Sequence, residues 1–489
     1  MKKLYCMLIV AMFIPLLSGC PSNNGSSAPP PAWLPSTGGA TQGDGRVKLE
    51  WTPVSGVDYW IFTATDPSLT AFNWTGLPHA YAQANVPTPY YMCGLIDDLP
   101  YYFATNGRIN GGPGGTSSPT ISATPYNAST QWALNPTPLA KIVSNQVVNP
   151  NIFGLGYASL TTCPNNATIS ATGVFAAVGA GGAIFTSNDG KFWSLEASPV
   201  PVTTPPTNLN AVSGYAANQN NPLNPSMRWM AVGDAGTVVY YQEGTGWVLA
   251  NSLANSTLNT ANPNSYSLHS VTQAGSTFYA VGDAGTIISS SDAINWYRRP
   301  SPGTTNATAN KLNGVTYGGG VYVAVGDSGT ILTSVDGNTW VPPTTTAPAI
   351  PAGINLQKVA SFVSSYGNIY VAVGDAGTIV TSTNISGRFT WTTQTALPGL
   401  PNLVGITVES RAVETNPAYG TVPFPDPSLG FISSAQFVAI DSAGNAYTSV
   451  NGYIWSAPIP TGATGLNALV SSGFGYVAAG NTGATAYAF

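Results

Sequence analysis

Residues 321–340 of the chain read Val-Tyr-Val-Ala-Val-Gly-Asp-Ser-Gly-Thr-Ile-Leu-Thr-Ser-Val-Asp-Gly-Asn-Thr-Trp, and the first two thirds of this stretch recurs along the sequence. Further copies of its core begin at Phe175 (FAAVGAGGAIFTS), Trp229 (WMAVGDAGTVVYY), Phe278 (FYAVGDAGTIISS), Tyr370 (YVAVGDAGTIVTS), Phe437 (FVAIDSAGNAYTS) and Tyr476 (YVAAGNTGATAYA). Self-similarity at a period of roughly 40–50 residues is typical of propellers and solenoids.

Each copy has the pattern of antiparallel strands. Apolar and β-branched residues over 322–325 are typical of a strand, and residues 326–329 form a Gly-containing turn. Residues 330–334 form the antiparallel strand that follows the turn. Asp336-Gly337 is a second turn signal, after which Trp340 begins a last strand. Leu312-Asn-Gly-Val and similar upstream segments supply one more strand. Four strands in each of seven repeats predict an all-β chain with a seven-bladed β-propeller, and an open solenoid is the alternative.

The two ends of the repeat region favour a closed ring. The last copy stops at Phe489 on its third strand, whereas Trp132 opens a segment before the first copy that looks like the strand at Trp340. We therefore expect residues 131–135 to pair with residues 484–489 as the fourth strand of the last blade. Such an N-terminal strand swap covers a sheet edge that would otherwise be exposed.

The first 44 residues predict export. Residues 1–19 combine a basic start with one apolar run that is too short for a comfortable membrane span, which is typical of a signal peptide. Leu17-Ser-Gly-Cys20 resembles the lipobox of bacterial lipoproteins, which implies cleavage before Cys20, lipidation of Cys20 and, with Pro21 next, the outer membrane. An ordinary secretory signal is the alternative. Residues 20–44, rich in Pro, Ser, Asn and Gly, predict a flexible tether.

Residues 45–125 resemble a fibronectin type III domain. The sequence 47–62 looks like the second and third strands of that family, and the spacing from Leu95 to Tyr101 looks like its tyrosine corner. With Cys20 lipidated, Cys93 and Cys163 remain as a pair in a compartment that permits disulfides. The alternatives are a Cys93–Cys163 disulfide and two separate thiols.

Composition argues against several functions. Only 7% of residues are charged, with 14 Lys and Arg against 19 Asp and Glu and a net charge of −5, and no basic patch suggests nucleic-acid binding. No metal-ligand spacing occurs, and the two histidines, His79 and His269, are isolated in sequence. We expect no cofactor, no metal and a monomer.

Four repeats carry the Asp-box, or BNR, pattern S-x-D-G-x-x-W or a variant of it. The residues concerned are Asp189, Trp193, Asp292, Trp296, Asp336, Trp340, Asn451 and Trp455. The resemblance to sialidases and other Asp-box proteins implies a folded turn, in which the carboxylate binds turn amides and the Trp packs between strands. The arginine triad and Tyr–Glu pair of a sialidase are not recognisable, so no catalytic residue is assigned, although a glycan-active enzyme stays the alternative function.

Residues 126–489 are the predicted propeller domain. From about Gln131 to Phe489 the chain is similar to the propellers of photosystem II assembly factors, which share the Val-Gly-x-x-Gly-Thr-Ile and S-x-D-G-x-x-W phrases. The resemblance implies the fold, and nothing in the sequence implies the photosystem partner. Asp234, Asp283, Asp327, Asp375 and Asn481 are expected to ring one face as turn caps or as a site for a cation or polar ligand.

A long insertion at 408–435, with Tyr419, Phe424 and Phe431, is the candidate partner loop on the opposite face. The sequence therefore predicts a lipid-anchored envelope protein whose propeller presents loops to a protein or polysaccharide, with the fibronectin-like domain as a spacer.

Overall fold

A computed structural model of the protein describes residues 25–158, 173–217, 226–250, 266–299, 308–343, 350–414 and 431–489, apart from positions 36, 94, 144–145, 204, 243, 365–366, 386–387, 398, 400 and 474. The described chain is built from antiparallel β-sheets and short 3-10 turns. It divides into two compact units, one containing residues 25–42 and Arg46–Pro125, the other containing Gly43–Gly45 and most of the chain from Tyr126 onward. The prediction of an all-β fold is confirmed.

The first unit consists of two sheets. One sheet contains Ser26–Ala28, Tyr101–Ile109, Asp58–Ala64 and Tyr81–Gln83, with Ile121–Ala123 also paired to Tyr101–Ile109; the other contains Ala40–Gly43, Arg46–Leu49 and Tyr90–Cys93. A 3-10 turn spans Trp74–Gly76. Buried Val47, Leu49, Trp51, Ile61 and Phe103 fill the core between the strands, because alternate residues of each strand point to the same face.

The predicted tether at 20–44 is wrong for its described part. Ser26–Ala28 pairs with the strand Tyr101–Ile109, and Ala40–Gly43 joins the second sheet. The indole of Trp33 donates to Pro119 O at 3.0 Å and packs edge-on against Trp51, with 6.0 Å between ring centroids. A large aromatic side chain with a hydrogen-bonded N–H anchors this segment despite its Pro- and Ser-rich composition.

A tyrosine near the start of the strand Tyr101–Ile109 fixes the preceding loop. The hydroxyl oxygen of Tyr101, which is buried, accepts a hydrogen bond from Ile96 N at 3.2 Å. This is the bond that the tyrosine-corner prediction requires. It ties the backbone of the loop before this strand to a side chain of the core.

The described part of the second unit contains seven sheets of three or four strands, numbered one to seven in chain order. Their strands are Ile152–Ala158, Val174–Gly179, Ile184–Ser187 and Ser194–Leu195 in sheet one; Leu209–Ala217, Ser226–Gly233, Val238–Gln242 and Gly246–Leu249 in sheet two; Leu268–Ala274, Thr277–Gly282, Ile287–Ser290 and Tyr297–Arg298 in sheet three; Leu312–Gly318, Val321–Gly326 and Ile331–Ser334 in sheet four; Leu356–Ser364, Gly367–Gly374, Ile379–Ile385 and Arg388–Thr393 in sheet five; Leu403–Glu414, Phe431–Asp441, Asn445–Ser449 and Ile459–Pro460 in sheet six; Leu466–Ser471, Tyr476–Gly480, Thr485–Ala488 and Ala133–Leu134 in sheet seven.

The first strands of the seven sheets follow one another in a ring. Each contacts the first strand of the next sheet, and Ile152–Ala158 of sheet one contacts Leu466–Ser471 of sheet seven. Buried apolar side chains from adjacent sheets pack face to face, as in the cluster of Val371, Val373, Phe437 and Ala439. This is the arrangement of a β-propeller, with the first strands at the centre.

Sheet four differs from the four-stranded prediction. The strand expected after Trp340 is reduced to one bridge, in which Val341 and Thr333 exchange backbone hydrogen bonds at 2.9 and 3.0 Å. Two prolines follow at 342 and 343. Because proline lacks an N–H group, the ladder cannot continue past this point.

The last sheet takes its fourth strand from the segment before sheet one. Ala133 pairs with Tyr487 and Leu134 with Ala486, and Asn135 N donates to Thr485 O at 2.9 Å. The half-buried Trp132 packs on the core of sheets six and seven, with its ring centroid 6.3 Å from that of Tyr476. This pairing lies where the resemblance between the two sequence segments predicts it.

Shorter elements complete the second unit. A hairpin of Lys141–Val143 and Gln146–Val148 precedes sheet one, and Leu139 is buried against residues of sheets one and seven. Described 3-10 turns span Ala128–Thr130, Ala180–Gly182, Asp234–Gly236, Asp283–Gly285, Asp327–Gly329, Asp375–Gly377 and Asn481–Gly483. Within the described ranges, no helix has the length and apolar character needed to cross a membrane.

Candidate functional site

The predicted ring of acidic residues lies in turns between the second and third strands of the sheets. Asp234, Asp283, Asp327, Asp375 and Asn481 each begin a three-residue 3-10 turn. The middle residue of each turn has a positive φ, such as 53° at Ser328. A residue other than glycine adopts this left-handed backbone conformation at an energetic cost, so hydrogen bonds from surrounding residues must stabilise the turn.

Each carboxylate in these turns binds the start of the first strand of its own sheet. In sheet four, Asn313 Nδ2 donates to Asp327 Oδ1 at 2.8 Å and to Leu356 O, in sheet five, at 3.0 Å. One amide group therefore connects the turn, the first strand and the next sheet. Because Asn313 is buried, losing an acceptor there would leave a polar group unsatisfied.

The same arrangement recurs around the ring with different donors. Asn210 Nδ2 binds Asp234 and Leu268 O, and Asn467 Nδ2 binds Asn481 and Ile152 O. In sheet five both Asn355 and Gln357 donate to Asp375, at 3.0 and 2.9 Å; in sheet three His269 Nε2 lies 2.7 Å from Asp283 Oδ1. The acidic ring is thus a network that connects turns and strands, and its carboxylates already accept bonds from the protein.

Sheets one and six use other groups at this position. In sheet one Lys141 Nζ donates to Ala180 O and Gly181 O at 2.9 and 3.1 Å. In sheet six the buried Asp441 accepts from Gly444 N and from the hydroxyl of Tyr447 at 2.8 and 2.9 Å. In the alignment of the repeats, Asp441 lies one position before the aspartates of the other sheets. From that position it accepts hydrogen bonds from the turn that follows the second strand.

The Asp-box residues form closed turns at the ends of the third strands. Asp336 Oδ1 accepts from Asn338 N and Thr339 N at 2.8 and 2.7 Å, while Trp340 Nε1 donates to Gly337 O at 3.1 Å. The other boxes repeat these bonds, with the acceptors Asp189, Asp292 and Asn451 and the indoles of Trp193, Trp296 and Trp455. The box is a structural turn, and its carboxylates point into it.

Two of these box carboxylates are held in their charged form. Backbone N–H bonds from Thr339 and Asn338 lower the pKa of Asp336 to about 2. Partial desolvation raises the pKa of Asp292, but hydrogen bonds led by those from Asn295 outweigh it and lower that pKa to about 2. Donors aimed at a carboxylate favour its ionised state.

The lowered pKa values predict an acid-sensitive contribution to stability. A carboxylate whose folded pKa lies below its unfolded value of about 3.9 stabilises fully above that value and loses the contribution as pH falls through the folded pKa. The melting temperature of the wild type should therefore fall more between about pH 4 and pH 2 than that of an Asp336→Asn, Asp292→Asn double variant. Asn451 shows that an amide can occupy the same turn. If the melting temperatures of the two proteins fell equally between pH 4 and pH 2, the prediction would be contradicted.

The sequence analysis missed a cationic group among the first strands. Lys358, in sheet five, donates from Nζ to His269 O of sheet three at 3.4 Å and to Asn313 O of sheet four at 3.2 Å. Burial, with a smaller effect of the charge on Lys311, lowers the pKa of Lys358 to about 8. Only alignment of the seven first strands by register, rather than any local motif, could have singled this residue out.

The remaining predicted residues have different outcomes. Cys93 is disulfide-bonded. Cys20, Cys163, Tyr419 and Phe424 lie outside the described residues, so lipidation and the Cys93–Cys163 pairing stay predictions. No group of three or more His, Cys, Asp or Glu side chains that could hold a metal ion occurs in the described part of the chain.

The insertion in sheet six begins later than predicted. Residues 408–414 and 431–435 are paired strands rather than loop, and Phe431 opens the second of them opposite Glu414. The β-branched and alternating residues Ile406 to Val413 extend the ladder beyond the length seen in sheet four.

Comparison with known proteins places the chain among similar solved structures. No protein-family model matches it, and no curated protein matches it. It is similar to YCF48 from Cyanidioschyzon merolae, with 15% identity, a TM-score of 0.47, and coverage of 73% of this chain and 98% of that one. It is also similar to YCF48 bound to D1 peptide, with 15% identity, a TM-score of 0.44 and coverage of 73% and 96%. A third is the WD40 β-propeller domain of Doa1, with 9% identity, a TM-score of 0.44 and coverage of 73% and 96%.

Proposed function

We propose that this chain is a lipid-anchored binding protein of the bacterial cell envelope, in which a propeller presents the long hairpin of sheet six to a protein partner. The observation that carries the proposal is the length of that hairpin. Its ladder runs from Leu403 to the Glu414–Phe431 pair, whereas the corresponding ladder of sheet four ends at Gly318–Val321. The five additional residues extend the strands by about 16 Å.

The backbone of this hairpin suits recognition of an extended peptide. The second strand of sheet six pairs with the third only over residues 437–440, so residues 431–434, beyond the buried Ala435 and Gln436, have a described strand partner on one side alone. An exposed row of N–H and C=O groups can add a further strand, and this gives affinity through main-chain hydrogen bonds. A segment of a protein partner in an extended conformation is therefore the ligand that we propose.

Shortening the hairpin tests this function. Residues 411–434 are replaced by an Asn-Gly turn, so that the Ser410–Ala435 pair closes a two-residue hairpin. As a matched control, residues 217–226 of sheet two are replaced in the same way beyond the Ala216–Met227 pair. Each variant is used to capture cross-linked partners quantitatively from native envelope.

We expect one partner to be lost from the sheet-six variant and kept by the sheet-two variant, with both melting close to the wild type. Equal capture by the two variants would refute a role of the hairpin. Assays of the same proteins on model glycosides test the alternative of a glycan-active enzyme. Hydrolysis of a glycoside would support that alternative.

The architecture that we propose for this role is a seven-bladed propeller closed by the strand Ala133–Leu134. The seven sheets and the ring of contacts between their first strands support it. The two-sheet unit before it is proposed to be a fibronectin type III-like spacer, supported by the Tyr101–Ile96 bond.

Lipid anchoring predicts a change of location in one variant. Cys20→Ser is expected to move the protein from the membrane fraction to the soluble fraction, because acyl chains stabilise membrane association by roughly 0.8 kcal/mol per buried methylene. Fractionation followed by immunoblotting measures this, with Cys6→Ser as the control. A Cys20→Ser protein with its signal peptide cleaved that stayed on the membrane would contradict the lipoprotein assignment.

A further inference from the structure

A tyrosine of sheet three reaches into sheet four. Tyr279 belongs to the second strand of sheet three, and it is buried in one cluster with Tyr322 and Trp340. Its hydroxyl lies against Gly337, where an added Cβ atom would collide with it. The centroids of the Tyr279 and Tyr322 rings are 4.4 Å apart, so the two phenols are in contact across the boundary between the sheets.

The two phenols meet at their hydroxyl ends. Burial of Tyr322, and then hydrogen bonding of its hydroxyl to Tyr279, raise the pKa of the Tyr322 phenol, so this group keeps its proton at neutral pH. When two oxidised phenols couple, the new bond forms between ring carbons beside the hydroxyl groups. Contact at the hydroxyl ends therefore brings together the parts of the two rings that react.

The repeats provide an internal comparison for this contact. The position of Tyr322 in the second strand also holds tyrosine in sheets five and seven, as Tyr370 and Tyr476. The ring of Tyr370 lies 5.6 Å from that of Phe389, and the ring of Tyr476 lies 6.3 Å from that of Trp132. The repeat therefore does not require a phenol–phenol contact here, because the same position also packs against rings that lack a hydroxyl group.

A third tyrosine connects this pair with the surface. Tyr317, on the first strand of sheet four, is directly opposite Tyr322 in the register, and its ring centroid is 4.5 Å from that of Tyr322. Tyr317 is half-buried, and the turn that follows it is exposed at Gly319 and Gly320. Electrons move readily between aromatic rings in contact, so an oxidant at the surface can withdraw an electron from the buried pair.

A covalent link at this boundary would reinforce a sheet with few strand pairs. The outer strand of sheet four is reduced to the bridge between Thr333 and Val341. A bond between residues 279 and 322 would tie sheet four to sheet three. It would also constrain the unfolded chain, as a disulfide does, and this stabilises the folded state.

We propose that Tyr279 and Tyr322 form a site of oxidative modification, at which a one-electron oxidant joins the two rings into a dityrosine. Each phenol gives one electron to the oxidant and the proton of its hydroxyl group to water. The two phenoxyl radicals then form one C–C bond between ring carbons beside the oxygens, and the hydrogens on these carbons move to the oxygens. In total, two equivalents of the oxidant are reduced and two protons are released.

Photo-oxidation of the purified full chain tests the proposal. Tris(bipyridine)ruthenium(II), oxidised by persulfate in visible light, supplies the one-electron oxidant, and dilute protein limits links between molecules. Dityrosine fluorescence gives the yield, and mass spectrometry of proteolytic peptides locates the link. We expect the main link to join residues 279 and 322 within one chain, with the loss of two hydrogens.

Two phenylalanine variants keep the packing of the rings and identify the pair. In Tyr279→Phe the yield of dityrosine should fall at least about fivefold, because the phenol hydrogen-bonded to Tyr322 is lost and orientation governs such reactions. Tyr317→Phe removes the other neighbouring phenol and should keep the link at 279–322. Oxidation should raise the melting temperature of the Tyr317→Phe monomer relative to that of Tyr279→Phe. The proposal is overturned if the link joins Tyr322 to Tyr317 instead, or if Tyr279→Phe gives as much dityrosine as the wild type.

Discussion

Replacing residues 132–135 by a Gly-Ser-Gly-Ser stretch of the same length is expected to lower the free energy of unfolding by about 3–5 kcal/mol and to produce oligomers. The change removes the half-buried Trp132 from the core of sheets six and seven, where its indole also donates to Ser129 O at 2.9 Å. It also removes side chains from the strand that pairs with Ala486 and Tyr487. The free edge of the last sheet then becomes a template for other chains.

The matched control is the outer strand of sheet one. Residues 193–196 carry Trp193 and the two-residue strand Ser194–Leu195, which pairs with Phe185 and Thr186 of the same sheet. The same replacement there removes an equivalent strand without separating distant parts of the chain. Denaturation and size-exclusion chromatography compare the two variants. Equal losses of stability, with both proteins monomeric, would show that the remote strand has no special role in holding the ring together.

Much of the fold was predictable because its strongest signals are local and repeated. Alternating apolar residues and Gly-containing turns recur seven times, so the strand pairs could be assigned from residues 322–334 and their copies. The segment at Trp132 was predictable from the same comparison. The Asp-box turns follow from their spacing, since a carboxylate four residues before the Trp can reach only nearby amides.

Other features depend on contacts that no local pattern reports. Residues 25–42 belong to the first unit because Trp33 packs against Trp51 and donates to Pro119 O, although the composition of the segment is typical of a tether. The amide of Asn313 connects Asp327 to the backbone of Leu356, a residue 43 positions later in the chain. The unusual position of Lys358 can be recognised only when the first strands of the seven sheets are aligned by register. Long-range packing therefore overrides composition in these places.

Phe437→Ala is expected to lower the free energy of unfolding by about 3–5 kcal/mol, the range for deleting a fully buried phenylalanine ring. Phe437 is 0% exposed and packs in the cluster that joins sheets five and six, with Ile369, Val371 and Tyr447. Every sheet carries a buried aromatic residue at the equivalent position of its second strand: Phe175, Trp229, Phe278, Tyr322, Tyr370, Phe437 and Tyr476.

Two variants separate the packing of this ring from general sensitivity to mutation. Phe437→Leu should cost less than half as much, since it keeps most of the buried apolar volume. Phe192→Ala removes the same ring from a side chain that is 82% exposed and should change stability by no more than about 0.5 kcal/mol. Chemical denaturation of the three proteins measures these differences. If Phe437→Ala cost no more than Phe192→Ala, the aromatic layer between adjacent sheets would not be what holds them together, and the repeat would be a pattern of strand pairing alone.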